Sequence, residues 1–315
     1  MPYLAWVYDS PIFDFRSQEI TYPTNRIMLF DSYEMEELRS KGFNNIFWLP
    51  LASDPVTVQN HVQEYSLGRT DLENDIVFLG RFYGSSRNNE KFYKTIVSRG
   101  LLPPFWHGYL EGIMDCQHVV YGENFIGKCM NPDIVQALCN ILGESPDKVY
   151  DTTEYRLTNL LINMELSARE RVEYIQALAE RFSITVHTPS DHPDLPGVLF
   201  KEVAPPTTLA PAVENHAKIN LNISLRTIKN GVPLRVFDTM AAGGFMLSNY
   251  QSDIDSLFLI GEDLVTFDSK EDLIRKCEYY LKHDDERKQI AENGLNSVIK
   301  HHTYDHRVAE MMSFI

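Results

Sequence analysis

Eight short apolar runs govern what this chain can fold into. They are YLAWVY (3–8), RIMLF (26–30), IFWLP (46–50), DIVFLG (75–80), SITVHT (183–188), HAKINLNISL (216–225), FMLSN (245–249) and LVTFD (264–268). Runs of this length suit strands, and those that are almost wholly apolar suit parallel strands covered on both faces. Helical signals lie between them. DSYEMEELRSKG offers Asp31 as N-cap with Glu34 three residues on and Gly42 at its end. SKEDLIRKCEYYLKH opens on Ser269 with Asp272, and TYDHRVAEMMSFI opens on Thr303. Strand, helix and strand joined by right-handed crossovers predict an α/β fold with open, doubly wound parallel sheet.

At 315 residues the chain exceeds the ~250 at which single cores stop growing, so two domains are expected. Residues 51–74 are polar and mixed and read as a connection. This predicts a partial first domain with linker at 1–74 and a second domain at 75–315 whose closing helices occupy 269–315. Roughly 100 residues separate the strand at 75–80 from the one at 183–188, far more than a single crossover needs. A helical insertion at about 85–180 fills that gap, ending in the amphipathic SARERVEYIQALAERF. Its aromatic middle, LLPPFWHGYLEGIMDCQHVVYGENFIG, is either a subdomain core or the lining of an acceptor pocket. In 216–225, Ile219, Leu221, Ile223 and Leu225 alternate with Lys218, Asn220, Asn222 and Ser224, predicting a strand with one apolar and one polar face.

Charge narrows the function. With 44 acidic against 29 basic residues, the formal charge of −15 argues against nucleic acid or an anionic membrane as the main partner. No run approaches the ~18 apolar residues of a transmembrane segment. Cys116, Cys129, Cys139 and Cys277 form no CxxC pair and read as free thiols, which points to a cytoplasmic protein.

Within this acidic chain, residues 216–250 carry Lys218, Arg226, Lys229 and Arg235 against Asp238 alone, a net +3. The island falls between a strand end and a helix N-terminus, where free N–H groups and the helix dipole attract phosphate. Gly231 permits close backbone approach and Pro233 sets the first turn. Arg226, Lys229 and Arg235, with the backbone at Gly231, Val232 and Leu234, form a candidate diphosphate site, and Asp238 a candidate ribose acceptor. A solvated loop with Arg235 and Asp238 as an ordinary i,i+3 pair is the alternative. Gly80 and Arg81, directly after a strand, are further phosphate candidates, and His187 ends another strand. Asp9, in YDSP, is a candidate general base toward a sugar hydroxyl or a turn-forming residue.

On these residues the sequence resembles a known family. PYLAWVYDSPIF, NRIMLFD and NNIFWLPLASD are similar to the N-terminal part of CgeB-like (spore maturation protein) glycosyltransferases, and AKINLNISLRTIKNGVPLRVFDTMAAGGFMLSNYQSDID to their C-terminal domain. The resemblance implies a GT-B fold: two Rossmann-like domains facing a cleft, with a C-terminal helix crossing back to the first. It implies a hexosyltransferase-type enzyme using a nucleotide-diphosphate-sugar donor, no obligatory metal, and a glycan or protein acceptor at a spore or envelope surface. The Glu–x7–Glu pair common in retaining GT-B enzymes becomes Asn230 and Asp238 here, so a neutral amide replaces one carboxylate. Only three strands precede the linker, which leads to the expectation of an N-terminally truncated first domain. The rival expectation is a non-catalytic spore-coat or envelope assembly protein that keeps the fold and whose basic residues do not converge. An epimerase of the same fold is a third.

Overall fold

The computed structural model describes residues 2–12, 21–83, 93–143 and 153–314. The first unit holds β1 (Tyr3–Val7), β2 (Asn25–Leu29), α1 (Ser32–Ser40) and β3 (Ile46–Trp48), with the strands parallel in the order β1-β2-β3. Asp31 caps α1 by accepting from Tyr33 N, and Gly42 leaves the helix at φ +98°, where a Cβ would be strained. Glu34 does not close a capping box. Its carboxylate is buried and accepts from Ile12 N and the Tyr155 hydroxyl instead.

The connection at 51–74 is not irregular. It contains α2 (Pro55–Ser66), capped by Asp54 with Pro55 in the first turn. Then β4 (Asn74–Leu79) begins the second unit. Helices follow: α3 (Tyr93–Ser98), α4 (Pro104–Val119), α5 (Phe125–Cys129), α6 (Pro132–Leu142) and α7 (Thr153–Arg156), then a π-helical stretch (Leu157–Asn163) leading into α8 (Met164–Ala179). Ile96, Leu110, Ile126, Ile134, Leu138 and Ile162 give this region its own apolar core. Two parts of the expected insertion, 84–92 and 144–152, lie outside the described residues.

The remaining elements are β5 (Ile184–His187), β6 (Val198–Lys201), α9 (Leu209–His216), β7 (Ala217–Asn222), α10 (Leu234–Ala241), β8 (Met246–Asn249), α11 (Ile254–Leu257), β9 (Val265–Phe267), α12 (Lys270–Tyr280), α13 (Asp284–His301) and α14 (Tyr304–Met312). Of these, β6, α9 and the short α11 were not expected from the sequence. The six strands are parallel in the order β6-β5-β4-β7-β8-β9. Ranked by position within the unit this is 3-2-1-4-5-6, the doubly wound Rossmann order, and its direction reverses between β4 and β7.

The polar face expected on β7 is buried rather than wet. Asn220 donates to Glu214 O and Phe245 O, Asn222 to the Ser224 and Ser248 hydroxyls, and Lys218 alone on the strand is exposed. α9 and α10, flanking β7, cover what a one-sided sheet would expose, so each buried amide needs a partner.

The closing helix returns to the first unit. Arg307 Nε donates to Pro50 O at 2.9 Å, Ser53 bridges to Thr303, and Phe314 packs its ring 4.6 Å from Phe47. Two parallel α/β units joined by a linker and strapped by the last helix make a GT-B-like architecture, with a helical insertion in the second unit. No helix among the described residues is long and apolar enough to cross a membrane.

Candidate active site at the sheet switch point

In doubly wound sheets ligands bind beyond the carboxyl ends of the strands where strand order reverses. Here that point lies between the ends of β4 and β7, at Gly80–Arg81 and Ile223–Ser224. Arg171 of α8 occupies it. Its guanidinium donates to Arg81 O (2.5 Å) from one side and twice to Ile223 O (2.6 and 3.1 Å) from the other. The rings of Phe78 and Tyr83 lie 5.4 and 5.2 Å away. Burial pulls the Arg171 pKa down to about 10; Tyr83 and Glu170 oppose this, and nearby Arg235 adds like-charge repulsion. None of these hydrogen bonds goes to a carboxylate, so Arg171 is a buried cation met by main-chain carbonyls.

Arg235 stands in the first turn of α10. Pro233 precedes the helix without a side-chain cap. Among the described residues the N–H groups of Leu234 and Arg235 have no partner, so the positive end of this helix is open. Arg235 does not pair with Asp238. Its Nη1 donates to Glu214 Oε1 at 2.9 Å, and Asp238 instead accepts from the Ser53 hydroxyl at 2.6 Å. Burial raises the Asp238 pKa, with Ser53 and Arg235 opposing. Tyr8 and Tyr304, hydrogen-bonded to each other, lie near enough to Asp238 for its charge to help raise both phenol pKa values.

Two other cations of the basic island are held inside the protein. Arg226 is 5% exposed and forms a two-point pair with Glu170 (Nε to Oε2 3.0 Å, Nη2 to Oε1 2.8 Å). It also donates to His118 O and Val120 O and lies 3.5 Å above the Tyr121 ring. Lys229 is buried with Nζ donating to Arg226 O at 2.6 Å; burial, then repulsion from Arg226, lowers its pKa to about 7. The backbone here is fastened to the first unit. Lys229 N and Asn230 N donate to Asp31, Asn230 Nδ2 to the Ser32 hydroxyl, and Ser32 in turn to Asp253. A Cβ on Gly231 would stand 2.8 Å from Asp31 Cα, so the glycine serves close approach between the two units.

The other expected site residues are placed as follows. Val232 is buried against Phe30 and Leu51. Gly80 makes room for the Phe78 ring, which a Cβ would meet at 2.8 Å, and Arg81 is exposed. Asp9 is exposed, between Tyr8 and Ser10, whose carbonyl accepts from the Thr227 hydroxyl. His187 is buried with Nδ1 against Glu202 O. Thus Arg235 and Asp238 both stand on α10, paired with Glu214 and Ser53, while Arg226 and Lys229 are buried against Glu170 and the Arg226 carbonyl. Among the described residues no three His, Cys, Asp or Glu side chains gather as a metal site would require.

Arg171, Glu214 and Ser53 were missed in the sequence. Arg171 lies in an amphipathic run whose charges read as a solvated face, and Glu214 lies in a helix with no clean start signal. Ser53 lies in the stretch read as a connection, just before the helix that Asp54 caps.

Residues 169–313, which include Arg171, Glu214, Arg235 and Asp238, match a family model described as glycosyl transferase-like. No curated protein matches the chain. Among solved structures, TarM is 7% identical with a TM-score of 0.47, covering 92% of this chain and 43% of its own. Sucrose-phosphate synthase of Thermosynechococcus elongatus is 12% identical with a TM-score of 0.47, covering 98% and 66%. Alr3699/HepE of Anabaena, in complex with UDP, is 9% identical with a TM-score of 0.44, covering 100% and 72%. The chain therefore spans less than half of TarM and just under two thirds of the synthase.

Proposed function

We propose that this protein is a glycosyltransferase that moves a sugar, of hexose type, from a nucleotide-diphosphate-sugar to a glycan or protein acceptor of the CgeB-like spore or envelope kind. The reading rests on one observation. Arg171, bonded only to main-chain carbonyls at the switch point, and Arg235, in the first turn of α10 with its open N-terminus, both lie in the stretch that matches the glycosyl transferase-like family. A diphosphate would be attracted by these cations and by the free amides of the helix N-terminus. Its developing leaving-group charge would be stabilised by Arg235, the α10 amides and the field of Arg171, groups already fixed in place before the reaction. Asp238, one turn deeper, would accept from the ribose hydroxyls. Asp9, at the end of the first unit's leading strand, is the proposed base toward the acceptor hydroxyl.

The inward pairing of Arg226 and Lys229 favours a second reading, in which the fold serves assembly without catalysis. Calorimetry against UDP, GDP and dTDP separates the two. Binding of one nucleotide, weakened roughly tenfold or more by Arg235→Ala, is the expected result. Absence of binding to all three removes the transferase reading.

A further inference from the structure

We propose that Glu214 is a positioning residue that fixes the direction of Arg235 at the α10 N-terminus, and so sets the affinity of the site for a diphosphate. This inference rests on the donor-site reading above. Glu214 projects from α9, and only 1% of it is exposed. A carboxylate at that depth is costly unless paired. Both partners come from one face of α10, one turn apart: Arg235 Nη1 at 2.9 Å and the Thr239 hydroxyl at 3.1 Å. α9 is itself fixed, because Asn220 Nδ2 donates to Glu214 O at 2.8 Å and Asn215 Nδ2 to Ala242 O at 2.7 Å.

Arg235 is about one third exposed along its side chain (31%), and water would accept it freely on the outer surface. The Glu214 carboxylate holds it inward. One Nη1 bond leaves donors on the guanidinium fork for a ligand, since the group has five N–H bonds in all. The arrangement is thus a buried anion holding a partly exposed cation at a helix N-terminus, an orientation that gains most when a doubly charged ligand arrives. Removing the anion lets Arg235 relax toward solvent, and the ligand must then bear the cost of bringing it back.

The test is a set of titrations with UDP, uridine and inorganic pyrophosphate. Glu214→Gln is expected to weaken UDP and pyrophosphate roughly tenfold and leave uridine unchanged, because only phosphate contacts depend on Arg235. In an Arg235→Ala background the same change is expected to have no further effect, which a merely structural role would not produce. If Glu214→Gln does not fold, Glu214→Asp keeps the charge one methylene short of Arg235 and is expected to show the same selectivity. Parallel loss of uridine, or an undiminished effect in the Arg235→Ala background, overturns the proposal. Should the wild-type chain bind pyrophosphate but no nucleotide, the donor reading fails and Glu214 is judged on pyrophosphate alone; binding of neither defeats both.

Discussion

Asp31 is fully buried and accepts three backbone N–H groups, from Tyr33 in its own helix and from Lys229 and Asn230 across the interface. Burial nevertheless dominates and raises its pKa from 3.8 to about 6, with the three amides opposing. The sign of the linkage follows. A carboxylate whose folded pKa is raised favours the folded state fully below its unfolded value, and that contribution is lost as pH rises through about 6. Over the whole range the effect is on the order of 3 kcal/mol. Asp31→Asn has no such dependence, so the stability of wild type relative to the variant should rise by about 1 kcal/mol between about pH 7 and pH 5. Urea melts of both proteins at the two pH values check this, and a gap that stays flat contradicts it. The same contrast explains which parts of the site could be read from the chain alone. The basic island was visible because charge is a property of composition. Which of its cations stays accessible was not, because folding buries Arg226 against Glu170, two carbonyls and the Tyr121 ring but leaves Arg235 partly exposed on Glu214.

At the scale of elements, α2 stands at the entrance to the second unit, packed on α9 and α10. Its start was legible in principle: Asp54 accepts from Val56 N (3.1 Å) and Thr57 N (3.3 Å), and Pro55 follows. The weak apolar periodicity of PVTVQNHVQEYS hid it, since Val56 is exposed while Pro55 and Val62 are buried. Asp54→Ala should therefore cost about 1 kcal/mol of stability at neutral pH. Bonds from Thr57 lower the Asp54 pKa, so the contribution of the cap is present above the ordinary carboxylate range and fades as pH falls through the lowered value. Thermal melts should show the deficit of Asp54→Ala shrinking in acid; a deficit that grows there would contradict the capping role. Strand runs were the most readable elements, because parallel strands covered on both faces are continuous in apolar residues. The polar face of β7 misled for the opposite reason: Asn220 and Asn222 look solvated in sequence and are buried hydrogen-bonding groups in the fold.

At the scale of the molecule, two straps join the units. One is the closing helix, where Arg307 reaches Pro50 O and Leu51 O, and His302 accepts from Arg307 through Nδ1 while Nε2–H faces Leu257 O. The other is the loop between β7 and α10, laid against the β2–α1 turn. It leads into the α10 N-terminus, so motion between the units must strain or release it. Gly231 is its tightest point: an added Cβ would meet Asp31 Cα at 2.8 Å and the Phe30 ring at 2.9 Å. A side chain could turn aside, but a backbone atom cannot, so Gly231→Ala must separate the loop from the turn. Overpacking of this kind costs about 1–3 kcal/mol. The loss should be local, falling on the bonds from Lys229 N and Asn230 N to Asp31 rather than on the β7 ladder. Hydrogen exchange reads the difference directly: the amides of Lys229 and Asn230 should exchange at least roughly tenfold faster in Gly231→Ala, about 1.4 kcal/mol of easier opening, while those of Ile219 and Leu221 keep their rates. Unchanged exchange at Lys229 and Asn230 would show that the second strap does not hold the units together, and uniform acceleration would show that the glycine supports the whole fold instead.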